Sequence, residues 1–350
     1  MPSAASVATP ATDWVASLSP WPEEFGLDRM RELLARLGDP QSAYPAIHVV
    51  GTNGKSTATR TIAELLRAEG LRAGAYTSPH VSGWHERLDC DPATFERAVA
   101  RVREPAAQLG ATQFEVLTAA ALLEFAEAAV DAAVVEAGLG GRLDATNVVD
   151  AAVVLLTDVA LEHTEVLGDT VEQIAEEKLA VAHMARVVVT SDNRFRELVP
   201  RGAEIVHGGA REAAEAFLGR GTDAEIEVGL PGRLDRHGDE IWDGAHTPEA
   251  ADWLLRRLPA RDYVLCVSVL GDKRLHELLD RFGQAGGTLV ATRSTNDRAL
   301  PESEVAAAAI RHFDHVEAVA DPHEALARAR ALGRPVLVTG SLYLLADLYT

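Results

Sequence analysis

The sequence predicts an α/β protein with two separate parallel sheets. Short β-branched runs alternate with longer amphipathic runs from Ala46 onward, a pattern of strands joined by helices. That alternation lapses over a glycine- and charge-rich stretch at residues 202–232 and then resumes. The length of 350 residues also exceeds the roughly 250–300 that one hydrophobic core usually fills.

Taken in order, the first series places strands at Ala46–Val50, Arg72–Tyr76, Asp131–Glu136, Ala151–Thr157 and Arg186–Thr190. A helix is expected from Lys55 to Glu69, with Gly70 as its stop. Another spans Phe114–Ala129 on the strength of its helical apolar spacing, and DTVEQIAEEK forms a third with Thr170 as N-cap. The second series gives strands at Glu240–Asp243, Tyr263–Val269, Thr288–Ala291, His315–Val319 and Pro335–Thr339. Helices begin near Pro248, Arg274, Ser303 and Asp321. The boundary between domains is expected near Leu230, giving domains of residues 1–230 and 231–350.

Composition excludes several classes. With 47% hydrophobic and 25% charged residues the chain is an ordinary globular protein, neither fibrous nor disordered. A formal charge of −20 disfavours non-specific attachment to nucleic acid or anionic membranes, so no nucleic-acid or membrane partner is expected. Cys90 and Cys266 have no CxxC spacing and read as inert thiols. The start MPSAASVATPATDW lacks the basic and apolar blocks of a secretion signal, and no run approaches the ~20 apolar residues of a membrane span. The expected compartment is the cytoplasm.

The strand AIHVV runs into GTNGKST and then into a helix. Gly51 and Gly54 let the backbone curl so that its N–H groups and the helix N-terminus face an anion. Lys55 supplies charge to the outer phosphates, and Ser56 or Thr57 a hydroxyl for Mg²⁺. Gly51, Thr52, Asn53, Gly54, Lys55, Ser56 and Thr57 therefore read as an ATP loop. The general phosphate-loop pattern has a further glycine where Val49 stands here.

GTNGKST in this shortened form is similar to the nucleotide loop of the Mur-ligase superfamily. Further segments resemble its folylpolyglutamate synthase and dihydrofolate synthase branch: TSPH from Thr77, FEVLTAAALLEFAE from Phe114, EAGLGGRLDATN from Glu136, HTEVLG from His163, EEK ending at Lys178, PGRLD from Pro231, DGAHTP from Asp243 and VTGSLY from Val338. Their order along residues 47–343 matches the order in the family. The resemblance implies a three-layer parallel-sheet ATPase domain of Mur-ligase type, then a smaller Rossmann-like α/β domain, with ATP between them. It further implies a ligase that phosphorylates a pterin or folate carboxylate; a monomer is expected. The amine of L-glutamate then attacks the acyl phosphate. A Mur-type ligase for another small acid, and an ATP-binding chain without catalysis, are the alternative readings.

Glu136 ends an apolar strand at the carboxyl edge of the sheet and opens a glycine-rich loop, a natural place for a Mg²⁺ ligand. Ser56 and Ser78 are expected beside it. The resemblance assigns His163 and a carbamylated Lys178 to a second Mg²⁺, with Glu162 standing where the family usually has Asp. It sets Arg233 on the nucleotide phosphates, and Asp243 and His246 beside the nucleotide and the reaction centre, so that Lys55, Lys178, Asp243 and His246 form the catalytic set. Asp243 also reads as an Asx turn capping the helix at Pro248. Ser78, Pro79, His80, Trp84, Arg142, Asp144 and Asn147 are the acceptor-side candidates, Trp84 as a ring to stack on a pterin. Between Thr190 and Pro231 the chain is several dozen residues shorter than usual members and lacks a recognisable GxHQxxNAA segment. EIVHGGAREAAEAFLGRG is expected to keep one strand and one helix there.

Overall fold

A computed structural model describes residues 10–259, 262–333 and 335–349. The first nine residues of the stretch read above for a secretion signal lie outside them. The chain divides into two compact units: residues up to His80 with Trp84–Val228, and Val81–Gly83 with the residues from Gly229 onward.

In chain order the first unit holds α1 (Ala11–Ser17), α2 (Asp28–Arg36), β1 (Ala46–Val50), α3 (Lys55–Ala68), β2 (Ala73–Tyr76), α4 (Pro92–Leu109), α5 (Gln113–Glu127) and β3 (Ala132–Glu136). There follow β4 (Ala151–Leu156), α6 (Thr164–Leu167), α7 (Val171–Leu179), β5 (Val187–Thr190), β6 (Glu204–His207) and α8 (Ala210–Leu218). The strands form one parallel sheet in the order β2-β3-β1-β4-β5-β6. Alternation along β1 explains the layers. Ile47 and Val49 face Ile62 and Leu66 of α3 and Ala213 of α8. On the other face, Ala46 joins Val99 of α4 and Val116 of α5, while Val50 joins Ile174 and Leu179 of α7. Helices thus cover both sides of the sheet, as a parallel sheet requires.

Register decides where the chemistry can gather. Val49 pairs with Glu136 and Val50 with Leu156, so Gly51, Glu136 and Thr157 emerge together at the carboxyl edge. The chain leaves β1 towards β2 but leaves β4 towards β5, which makes the gap between β1 and β4 the point where the strand order reverses.

Several expected strands are trimmed at their ends. Arg72 and Asp131, read as strand residues, instead pair with each other at 2.9 Å just outside β2 and β3. Within the stretch at 202–232 that shows no long periodic run, β6 pairs with β5 and α8 packs on α3, matching the one strand and one helix expected of EIVHGGAREAAEAFLGRG. Beyond α8 the chain is tied down, with Arg220 Nη2 donating to Glu69 Oε2 at 2.5 Å and Arg211 donating to the carbonyls of Thr222 and Ala224.

The second unit contains β7 (Asp235–His237), β8 (Glu240–Trp242), α9 (Pro248–Leu255), β9 (Val264–Val267), α10 (Leu275–Phe282), β10 (Thr288–Ala291), α11 (Glu302–Ala309), β11 (His315–Ala318), α12 (Pro322–Leu332), β12 (Val336–Thr339) and α13 (Leu342–Tyr349). Its sheet runs β11-β10-β9-β12-β8-β7, parallel except for β7 against β8. The edge strand β7 was not anticipated, because three residues are too few to show a period. Tyr349 at the end of α13 holds it, donating from its hydroxyl to Asp235 and packing its ring 5.3 Å from that of Trp242.

Candidate active site

The phosphate loop is built from both neighbours of the strand-order reversal. Gly51 has φ +146°, and a Cβ there would lie 1.9 Å from Thr157 Oγ1, so no other residue fits without displacing the strand end opposite. Gly54 takes φ +78° as the N-cap of α3, and no side chain caps that helix. The first-turn N–H groups of α3 are left for an anion. Asp158 Oδ1 accepts from Asn53 N at 2.6 Å and Oδ2 from Asn53 Nδ2 at 3.0 Å, while Thr157 Oγ1 donates to Asn53 O at 2.8 Å. Lys55 Nζ folds back onto the carbonyls of Gly51 and Thr52, at 3.0 and 3.2 Å.

Beside this loop, three of the expected metal ligands converge. Ser56 Oγ donates to Glu136 Oε1 at 3.0 Å, Ser78 N donates to Glu136 Oε2 at 2.9 Å, and Ser78 O lies 3.5 Å from Ser56 Oγ. Glu136 is buried. Among the described residues no group of three or more His, Cys, Asp or Glu is set to hold an ion. A single carboxylate with hydroxyl and carbonyl oxygens is nonetheless the donor set that suits Mg²⁺ shared with a nucleotide, which keeps most of its shell as water and phosphate. Thr57, the alternative hydroxyl, makes no such contact with Glu136, so Ser56 is the better placed of the two.

Lys178 is buried and its Nζ donates to Gly51 O at 2.9 Å and to Glu162 Oε1 at 2.7 Å. Burial lowers the ammonium's pKa against the pull of Glu162. Burial also opposes ionisation of Glu162, but Lys178 and Lys55 outweigh it and hold that carboxyl below its usual value. His163 sits elsewhere in character: it is exposed, in left-handed backbone at the start of α6. Glu162, its neighbour in the sequence, turns to Lys178.

The acceptor-side candidates fall into two groups. His80 and Trp84 face each other with ring centroids 4.2 Å apart, and Arg87 Nε donates to His80 Nδ1 at 3.0 Å with its guanidinium 5.6 Å from the Trp84 ring. Burial and then Arg87 push His80 down to about 3. Ser78 and Pro79 are joined by a cis bond. In the glycine-rich loop, Arg142 is exposed and pairs with Glu177 at 3.0 Å, and Asn147 Nδ2 donates to Arg142 O at 2.9 Å. Asp144 differs from both. It is buried, with its oxygens taken by Leu139 N, Thr146 N and the Thr146 hydroxyl, and burial raises its pKa.

Within the second unit, Arg233 just before β7 and the turn at residues 243–246 just after β8 lie side by side, joined by Gly244 N donating to Gly232 O at 2.9 Å. Asp243 is buried and accepts from Ala245 N and Leu234 N, both at 2.9 Å, so its carboxylate shapes the backbone. The expected Asx turn is present, but Thr247 rather than Asp243 caps α9, accepting from Ala250 N at 3.2 Å. Arg233 Nη1 donates to Gly232 O at 3.1 Å. His246 Nδ1 lies 2.8 Å from Gly244 O; a carbonyl can only accept, so Nδ1 carries the proton and Nε2 is the open nitrogen. Burial lowers its pKa.

Residues 49–225 match the Mur ligase middle domain. A folylpolyglutamate synthase from Lacticaseibacillus casei is 31% identical over 404 residues, covering 90% of this chain and 92% of that one. The chain belongs to the folylpolyglutamate synthase and dihydrofolate synthase family. Among solved structures, a Mycobacterium tuberculosis folylpolyglutamate synthase complexed with ADP and AMPPCP is similar, with a TM-score of 0.84 and 28% identity over 92% of this chain and 94% of that one. A bifunctional Yersinia pestis folylpolyglutamate synthase/dihydrofolate synthase with Mn, AMPPNP and L-glutamate bound gives 0.81 and 27%, over 97% of each chain. The present synthase is an ATP-dependent ligase that joins glutamate to a folate-type acid.

Thr157 and Asp158, which clasp the phosphate loop, and Arg87, which braces His80, were not anticipated from the sequence. Glu162, noted there for standing in place of Asp, anchors Lys178. The signal for the first pair was available: a Thr-Asp dipeptide directly after a buried strand must emerge at the same edge as the loop after β1. The alignment with the Lacticaseibacillus synthase runs over 404 positions, more than this chain's 350 residues, so that relative carries segments absent here.

Proposed function

We propose that ATP binds with its phosphates on Gly51–Thr57 and that the acceptor's carboxylate attacks the γ-phosphorus. ADP leaves and an acyl phosphate remains. The amine of L-glutamate then attacks the acyl carbon, phosphate departs, and an amide forms. The observation that carries this assignment is the meeting of Ser56, Ser78 and Glu136 beside an uncapped helix N-terminus, at the strand-order reversal.

Lys55 would exchange its loop carbonyls for phosphate oxygens. Mg²⁺ on Ser56 and Glu136, with Ser78 beside them, would neutralise charge on the transferring phosphoryl group. A second ion would draw on His163 and on Lys178 once that amine carries a carbamate; its lowered pKa favours the neutral amine that carbamylation requires. Arg233 offers a fork suited to phosphate. His246, with Nδ1–H fixed on Gly244, offers Nε2 to take the proton that glutamate's amine sheds. Asp243 acts by holding that turn.

His80, Trp84, Arg142 and Asn147, with Ser78, Pro79 and Asp144 framing their loops, are assigned to a dihydropteroate or folate acceptor. Two free cysteines and the need for ATP fit a cytoplasmic enzyme, and one chain supplies every proposed site residue, as a monomer would. The test is ADP release measured with dihydropteroate or tetrahydrofolate, each with and without glutamate. Release that requires both an acceptor and glutamate supports the assignment and names the acceptor; release indifferent to both rejects it.

A further inference from the structure

We propose that His48, Thr146 and Asp144 form a buried relay whose task is to position the loop at residues 138–147 for the acceptor. This rests on the reading of Arg142 and Asn147 as acceptor-side residues. His48 lies in the middle of the central strand β1, fully buried, on the face of Ala46 and Val50. A strand written A-I-H-V-V spends a core position on an imidazole where an aliphatic side chain would pack without needing a partner.

The ring finds one partner. His48 Nε2 lies 2.9 Å from Thr146 Oγ1, whose hydroxyl in turn donates to Asp144 Oδ1. Thr146 has a single proton to give and gives it to Asp144, so His48 Nε2 must be the donor in the first contact. That fixes the neutral Nε2–H tautomer and leaves Nδ1, which has no partner among the described residues, as a bare acceptor. The opposite tautomer would strand a buried N–H, the rarer and costlier defect. Burial agrees with this assignment, pushing His48 down to about 3.

Asp144 carries the relay into the loop. Besides Thr146 it accepts from Leu139 N at 2.8 Å, bracing the turn that begins immediately after Glu136. The loop's opposite side is pinned to α7: Arg142 N donates to Glu177 O at 3.1 Å, and a Cβ on Gly141 would fall 2.5 Å from Lys178 O. Asn147 Nδ2 closes the loop on Arg142 O. A chain of side chains from the sheet interior thereby fixes the backbone that bears Arg142 and Asn147, and none of its three members is needed on the phosphates. His48 and Thr146 are positioning residues, and their loss should register on the acceptor and leave the nucleotide alone.

Steady-state kinetics with tetrahydrofolate, ATP and glutamate on Thr146→Val, Thr146→Ser and Arg142→Ala test this, with thermal melts alongside. Thr146→Val should raise the KM for tetrahydrofolate about tenfold, with kcat and the KM for ATP within about twofold. Thr146→Ser, which keeps the hydroxyl, should restore it. Should Thr146→Val fail to fold, His48→Asn, whose amide is too short to reach Thr146, takes its place with the same expected rise. If Arg142→Ala raises the acceptor KM while Thr146→Val or His48→Asn lowers only the melting temperature, the relay is structural and the proposal falls. If Arg142→Ala leaves that KM unmoved, the acceptor-side reading beneath it fails instead.

Discussion

Asp158 grips Asn53 twice, through its backbone N–H at 2.6 Å and its side-chain amide at 3.0 Å. The tip of the phosphate loop is therefore shaped by the end of β4, one strand away, before any nucleotide arrives. Preorganised amides need no rearrangement to receive phosphate.

Asp158→Ala should loosen that tip while sparing the core, since the hydrogen bonds of its carboxylate go to Asn53. The expected result is a KM for ATP raised about tenfold, with kcat changed less. Nucleotide titration of the variant checks it; an unchanged KM would mean the loop holds its shape unaided.

Lys55→Ala should reduce ligation about a hundredfold or more, because a charge on the transferring phosphates is lost. Its melting temperature should stay near that of the parent, as the amine bonds to the loop carbonyls of Gly51 and Thr52. Activity within a few-fold of the parent would remove Lys55 from the phosphates.

Glu136→Gln should raise the Mg²⁺ concentration needed for half-maximal turnover, and His163→Ala should do so by less, given that His163 is exposed and Glu136 buried. Mg²⁺ titrations of both decide it. An unchanged requirement in Glu136→Gln would place the ion elsewhere.

Lys178→Met leaves Glu162 without its partner at 2.7 Å and should destabilise the protein by about 2 kcal/mol, less than for a fully buried pair because Glu162 remains partly exposed. Native mass spectrometry in bicarbonate should show a gain of one CO₂ on the parent and none on this variant. No added CO₂ on the parent, or the same gain on both, would rule out carbamylation at Lys178.

His48 makes stability depend on pH in a defined window. Its folded-state pKa of about 3 lies below the unfolded value of 6.5, so the unfolded chain binds the extra proton. Stability is complete above about 6.5 and is lost as pH falls towards 3, by about 1.4 kcal/mol per pH unit from this group. Asp144, raised by burial, acts in the opposite sense. Denaturant melts of the parent and His48→Gln between pH 7 and 5 should therefore diverge, the parent losing more. Parallel curves would show that His48 titrates normally.

Much of this was legible along the chain. AIHVV is a buried strand bounded by glycine, and β1 has the limits its pattern implies; GTNGKST marks the turn and helix start wherever it occurs. The clasp by Asp158 was not, since it joins residues 105 positions apart and depends on the pairing of β1 with β4. Lys178 was singled out, but its engagement with Glu162 follows from the bend between β4 and α7, which no local pattern encodes. Asp243 read equally well as a nucleotide contact or a turn former, and its two backbone donors account for the turn.

The fastening of Tyr349 to Asp235 and Trp242 bears on handling of the protein more than on its chemistry. β7 is three residues long and forms the border of its sheet, paired on one side only with β8 among the described strands. Exposed borders of this kind recruit strands from other molecules, and shortness together with a covering helix are common protections against it. Trimming α13 would leave the phosphate loop untouched and yet release β7 from the tyrosine that holds it. Such a truncated protein should scatter light and sediment as aggregates at concentrations where the intact chain stays dispersed.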